Sequence, residues 1–136
     1  MSKKVIAMSL WGNVPMYTIG ALKNADLKNK YFPDWELWVY HNNTVPQEIL
    51  EKLTTAGCKL INSPTIHSNS SSCNMFWRFY PASDPNVERF IVRDADSRLS
   101  LRDVAAIDEW VDSGKDFHII REHPEHSTAI CGGMWG

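Results

Sequence analysis

Val5-Ile-Ala-Met-Ser-Leu10 runs straight into Trp11-Gly-Asn13, an apolar stretch of strand length that ends on turn-forming residues. Such a stretch reads as a buried β-strand opening into a loop. Pro15 suits the first turn of a helix and Asn13 stands where a cap is needed. Ile19, Leu22 and Leu27, with Lys23, Asn24 and Lys28 between them, carry that helix to about Lys28. Pro33-Asp34 breaks the chain before Trp35-Glu-Leu-Trp-Val-Tyr40, a second strand. Val45-Pro46 opens another helix, with Ile49, Leu50 and Leu53 on one face and Gly57 as its stop. Lys59-Leu-Ile61 then reads as a third strand. Strands that alternate with helical crossovers specify an α/β fold, a mostly parallel central sheet flanked by helices.

The same reading extends to the rest of the chain. Residues 62–74, rich in Ser and Asn, are expected to form a loop, and their place beside the candidate site suggests a lid. Met75-Phe-Trp-Arg-Phe-Tyr80 is expected to be a short helix stopped near Pro81. Met75, Phe76, Phe79 and Tyr80 would form its apolar side, Trp77 would pack in the core, and Arg78 would face the site. Glu88-Arg-Phe-Ile-Val-Arg93 is a fourth strand, and Ser100-Leu-Arg-Asp103 starts a helix running through Ile107 and Trp110 to Gly114. Phe117-His-Ile-Ile120 reads as a fifth strand. No internal repeat or second domain is visible, so residues 1–136 are taken as one domain.

Composition narrows the function classes. A hydrophobic content of 43% with 22% charged residues suits one globular core. Net charge is −2 and the 14 basic residues are scattered, which argues against nucleic acid as a partner. No stretch approaches the roughly 20 apolar residues of a membrane span. The apolar run after Lys4 is shorter than the ~7–15 residues of a signal peptide's core. The cytoplasm is therefore the expected compartment. Cys58, Cys73 and Cys131 are widely spaced and form no CxxC pair, so neither zinc nor a disulfide framework is indicated.

Phe90-Ile-Val-Arg-Asp-Ala-Asp96 carries the chemistry. Asp94 and Asp96 follow a buried strand, at the carboxyl edge where open α/β sheets bind ligands. Two carboxylates there suit a divalent cation with a preference for oxygen, magnesium or manganese rather than zinc, bridging to a diphosphate. A solvated turn at the strand end is the plainer alternative. Arg93 and Arg98 flank the pair, for local ion pairing or for phosphate contact. His123-Pro-Glu-His126 has helical metal-ligand spacing, but Pro124 and the lack of a third ligand nearby favour a solvated loop.

The chain resembles glycosyltransferases of the GT-A type, and within them small bacterial and large-DNA-virus (chlorella-virus-like) enzymes. The resemblance rests on Ser9-Leu-Trp-Gly12 with Tyr17, Met75-Phe-Trp-Arg-Phe79, Val92-Arg-Asp-Ala-Asp-Ser-Arg98 and Gly132-Gly-Met-Trp-Gly136. Ala105-Ala-Ile-Asp-Glu-Trp110 and His118-Ile-Ile-Arg-Glu-His-Pro124 extend it over nearly the whole length. The resemblance implies a Rossmann-like GT-A fold and a nucleotide-sugar donor, a UDP-sugar in the first instance, used with Mn2+ or Mg2+. Ser9, Leu10, Trp11, Gly12 and Tyr17 would surround the base and ribose. Asp94 would face the ribose and donor sugar and form, with Ala95 and Asp96, the metal-binding element, Asp96 being the metal ligand proper. Arg78 would reach the donor or orient Asp94. Gly132 and Gly133 would let backbone approach the donor sugar, since glycine carries no Cβ.

In similar enzymes the chain continues past this last segment into acceptor-binding structure. A further C-terminal region or a partner chain is accordingly expected to complete the site for a glycan or other hydroxyl acceptor. The expected activity is metal-dependent transfer of a sugar to that acceptor. One alternative is a non-catalytic sugar-nucleotide-binding domain or an incomplete transferase fragment. The other is a phosphatase of the haloacid dehalogenase kind, whose nucleophilic Asp ends the first strand rather than the fourth.

Overall fold

The computed structural model describes residues 3–62, 71–95, 98–117 and 134–135. Its elements are β1 (Lys3–Leu10), α1 (Pro15–Tyr31), β2 (Glu36–His41), α2 (Gln47–Thr55) and β3 (Lys59–Asn62). A 3-10 helix (Ser71–Ser83), β4 (Val87–Arg93), α3 (Leu101–Ser113) and β5 (Met134–Trp135) follow. The strands form one sheet in the order β3-β2-β1-β4-β5. β1 to β4 are mutually parallel and β5 runs antiparallel to β4. The expected α/β architecture, a parallel sheet flanked by helices, is thus present.

Alternation along the strands explains how both faces are covered. Ile6, Met8 and Leu10 of β1 and Leu37 and Val39 of β2 point to one face, where they pack with Ala21 and Ala25 of α1, Leu53 of α2 and Ile107 and Trp110 of α3. The intervening Val5, Ala7, Trp38 and Tyr40 point to the other face and pack against Trp77 of the 3-10 helix. Successive strand residues face opposite ways, so strands buried on both faces must be apolar almost throughout. That is why β1 and β2 read as continuous apolar runs.

Several expectations are corrected. The N-cap of α1 is Val14, with no side-chain cap, and Pro15 opens the helix instead of being preceded by an Asn13 cap. α1 continues to Tyr31, one turn past Lys28. Its buried residues are Thr18, Gly20, Ala21, Asn24 and Ala25; of the expected apolar positions Leu22 and Leu27 pack against the core, while Ile19 is exposed. Small residues let the helix lie close to the sheet, a pattern that a search for large apolar side chains misses.

The Met75–Tyr80 helix is part of a longer 3-10 run that passes through Pro81. Proline fits there because its fixed φ lies within the 3-10 range. A repeat of three residues per turn puts Arg78 and Pro81 on one edge, and both are buried, whereas Tyr80 is exposed. Of the apolar side expected from α-helical spacing, Phe79 is half-buried and Tyr80 exposed, while the side chains of Met75 and Phe76 fall outside the described ones. Phe117 lies outside any strand and is 77% exposed. The remainder of that expected fifth strand, residues 118–120, falls outside the described residues, as do 63–70 of the expected lid; the ends of that expected loop are ordered otherwise, Asn62 closing β3 and residues 71–74 opening the 3-10 helix. The fifth strand among the described residues is the short antiparallel Met134–Trp135.

Candidate functional site

The strand order places the site. From β1 the chain steps to β2 and β3 on one side, then crosses back to β4 on the other side of β1. The connections therefore diverge between the carboxyl ends of β1 and β4, and such a switch point leaves a crevice open to ligands. Ser9, Leu10 and Trp11 come from the end of β1, and Asp94 and Ala95 follow the end of β4. With Tyr17 of α1 and Arg78 of the 3-10 helix they line a cavity of about 260 Å3.

Each wall has a local cause. Gly12 adopts φ of +77°, a left-handed conformation open to glycine, which turns the chain out of β1. Its N–H donates to Thr44 Oγ1 at 2.6 Å, and Thr44 N–H donates to Asn42 Oδ1 at 3.0 Å. The loop that carries Trp11 is thus tied to the loop after β2. The Trp11 ring sits edge-on to Trp77, with centroids 6.4 Å apart. Tyr17 is partly exposed at the mouth of the cavity.

Arg78 and Asp94 supply the charge. Arg78 is 3% exposed, and its Nη1 donates to Asp94 Oδ1 in an ion pair. The Asp94 side chain keeps 41% of its surface accessible, so the pair has a buried cationic end and an open anionic end. A guanidinium is costly to bury without a partner, and this carboxylate satisfies part of it. Among the described residues, Arg78 Nε and Ser9 Oγ are buried without a hydrogen-bond partner. Buried polar atoms are normally paired, so two unpaired ones in one cavity lining fit a polar ligand.

The loop after Asp94 is seated on α1. Asn24, fully buried, donates from Nδ2 to Ala95 O at 3.4 Å and accepts at Oδ1 from Leu99 N–H at 3.0 Å. Gly20 lies beneath the same loop: a Cβ there would stand 2.2 Å from Ala95 O and 3.1 Å from Arg98 Nη1.

Of the residues singled out from the sequence, Ser9, Leu10, Trp11, Tyr17, Arg78, Asp94 and Ala95 come together around one cavity, and Gly12 shapes its loop. Asp96, Gly132, Gly133, His123 and His126 lie outside the described residues. Arg93 is turned away from the cavity and buried, with Nε 3.4 Å from Asp103 Oδ1 of α3. It serves ion pairing within the fold rather than phosphate contact. Asn24, Gly20 and Thr44 were not anticipated. The cue for the first two was present in the small residues Gly20, Ala21 and Ala25 gathered around a polar Asn24 within one helix.

Asp94 offers a hard carboxylate oxygen at the cavity rim, the donor type that magnesium or manganese takes. Among the described residues no group of three or more His, Cys, Asp or Glu side chains is gathered to hold a metal ion. Also among them, no helix is long and apolar enough to cross a membrane. No family model matches the chain, and no curated protein matches it.

Proposed function

We propose that the protein is a metal-dependent glycosyltransferase of the GT-A type that takes a nucleotide-sugar donor, a UDP-sugar in the first instance. One observation carries the reading: a buried Arg78 holds the half-open carboxylate of Asp94 at the end of β4, facing a cavity at the sheet's switch point. The aromatic surfaces of Trp11 and Tyr17 on the β1 side suit a base and ribose. Ser9 Oγ and Arg78 Nε, without partners among the described residues, suit hydroxyl and phosphate oxygens.

Asp94, with Asp96 beyond it, would hold Mn2+ or Mg2+, which when bound supplies positive charge to the leaving diphosphate. The chain's own contribution is to bind and to orient. Arg78 fixes the Asp94 carboxylate, Trp11 and Tyr17 hold the nucleoside, and the apolar wall of Leu10 and Ala95 limits water near the anomeric carbon. The acceptor is a glycan or other hydroxyl compound. A phosphatase reading is less well supported, because the carboxylate at the cavity follows β4 rather than the first strand.

A donor-hydrolysis screen across UDP- and GDP-sugars with added manganese tests the proposal. Release of sugar from one donor, lost on removal of manganese, is the expected result. Binding of a donor without release under any condition would point to the non-catalytic binder.

A further inference from the structure

Asp94, the acidic residue at the cavity, stands just past the end of β4 rather than within it. It leads the connection from β4 to α3; Arg78 holds its carboxylate, and the backbone behind it needs a hold of its own to keep that carboxylate in one place. α1 provides the clamp. Asn24 reaches the connection at two points, taking Ala95 O at 3.4 Å with its amide nitrogen and Leu99 N–H at 3.0 Å with its amide oxygen. One turn earlier, Gly20 admits the Ala95 carbonyl to within 2.2 Å of where a Cβ would be. The two positions are four residues apart and so share a helix face.

Asn24 is fully buried in mid-helix, where asparagine is a poor helix former, and an apolar residue would serve a merely packed face better. An amide can act as donor and acceptor at once, which is what a carbonyl and an N–H on either side of Asp96 require. We propose that Asn24 is a positioning residue of the donor site: four residues after Gly20, it holds the backbone at Ala95 and Leu99 and so sets where the Asp94 carboxylate meets the ligand. This rests on the donor-site reading above.

The test uses the full chain, with UDP plus manganese as probe. Asn24→Ala is compared with the wild type and with Leu53→Ala, a core truncation in α2, which contributes no residue to the cavity lining. Thermal melts establish that each variant is folded at the titration temperature. The proposal expects Asn24→Ala to lose about 10- to 100-fold in affinity, the range for removing a group that orients a ligand-bearing residue. The Leu99 amide should also exchange faster with solvent, while Leu53→Ala, though destabilised, should bind as the wild type does. Should Asn24→Ala not fold, Asn24→Asp, which keeps the acceptor for Leu99 and loses the donor to Ala95, is judged by the same affinity criterion. Wild-type affinity in a folded Asn24 variant, or an equal loss in Leu53→Ala, overturns the positioning role alone. No binding of UDP by the wild type overturns the donor-site reading, and the positioning role with it.

Discussion

Arg78 and Trp77 are neighbours in sequence and both nearly buried, yet they do different work. Trp77 fills the space between the 3-10 helix and the sheet face formed by Val5, Ala7, Trp38 and Tyr40. Trp77→Ala should therefore cost about 3–5 kcal/mol of stability. Arg78 gives its charge to Asp94, whose exposed side can rehydrate once the cation is gone. Arg78→Ala should leave a folded protein with UDP binding weakened by about 1.5–3 kcal/mol, the loss expected for a charge-assisted contact. Thermal melts and UDP titrations on both variants separate the roles. An Arg78→Ala protein that melts early and binds UDP normally would make the residue structural.

Tyr40 adds a pH dependence. Burial, then Asp84 and Tyr80, push its phenol from the ordinary 10.0 up to about 12. The unfolded chain releases this proton first. The stabilising contribution is therefore fully present below pH 10 and lost as pH rises from about 10 to about 12. Denaturant midpoints measured across that window should fall in the wild type and fall less in Tyr40→Phe; equal slopes would remove Tyr40 from the account.

Among the elements, the strands were legible because a strand covered on both faces has to be a short apolar run. β1, β2 and β4 lie within a residue or two of their expected bounds. The start of α3 was legible because Ser100 N–H donates to Asp103 Oδ2 at 3.0 Å, an interaction written in their spacing. The 3-10 helix was misread because its threefold repeat and its tolerance of Pro81 break the α-helical pattern. On α1, Leu22 and Leu27 do pack against the core, but Ile19 is exposed, and the buried face of Gly20, Ala21, Asn24 and Ala25 was not foreseen.

Gly20→Ala probes that face directly. In an exposed helix it would stabilise by about 0.5–1 kcal/mol. Here the added Cβ meets a backbone oxygen at 2.2 Å, so overpacking of about 1–3 kcal/mol should dominate. A lowered melting temperature is expected; a raised one would show that α1 and the β4–α3 connection separate at little cost.

At the scale of the whole molecule, the α/β class followed from the order of the first three strands, but the strand order in the sheet did not. Only the crossing from β3 over to β4 reveals the switch point between β1 and β4, where residues distant in sequence become one cavity. Ser9 to Trp11, Tyr17, Arg78 and Asp94 could be named from the sequence through turn residues and resemblance. Asn24 and Thr44 could not, because their partners lie on connections whose placement depends on the complete sheet. In the proposed function this cavity would bind a nucleoside diphosphate through a divalent cation held by the strand-end carboxylates. Calorimetric titration of UDP, with manganese and again after EDTA, tests it most directly. Tight binding with manganese and much weaker binding after EDTA is the predicted result, with the metal dependence lost in Asp96→Ala. Equal affinity in the two conditions, or no binding in either, would contradict it.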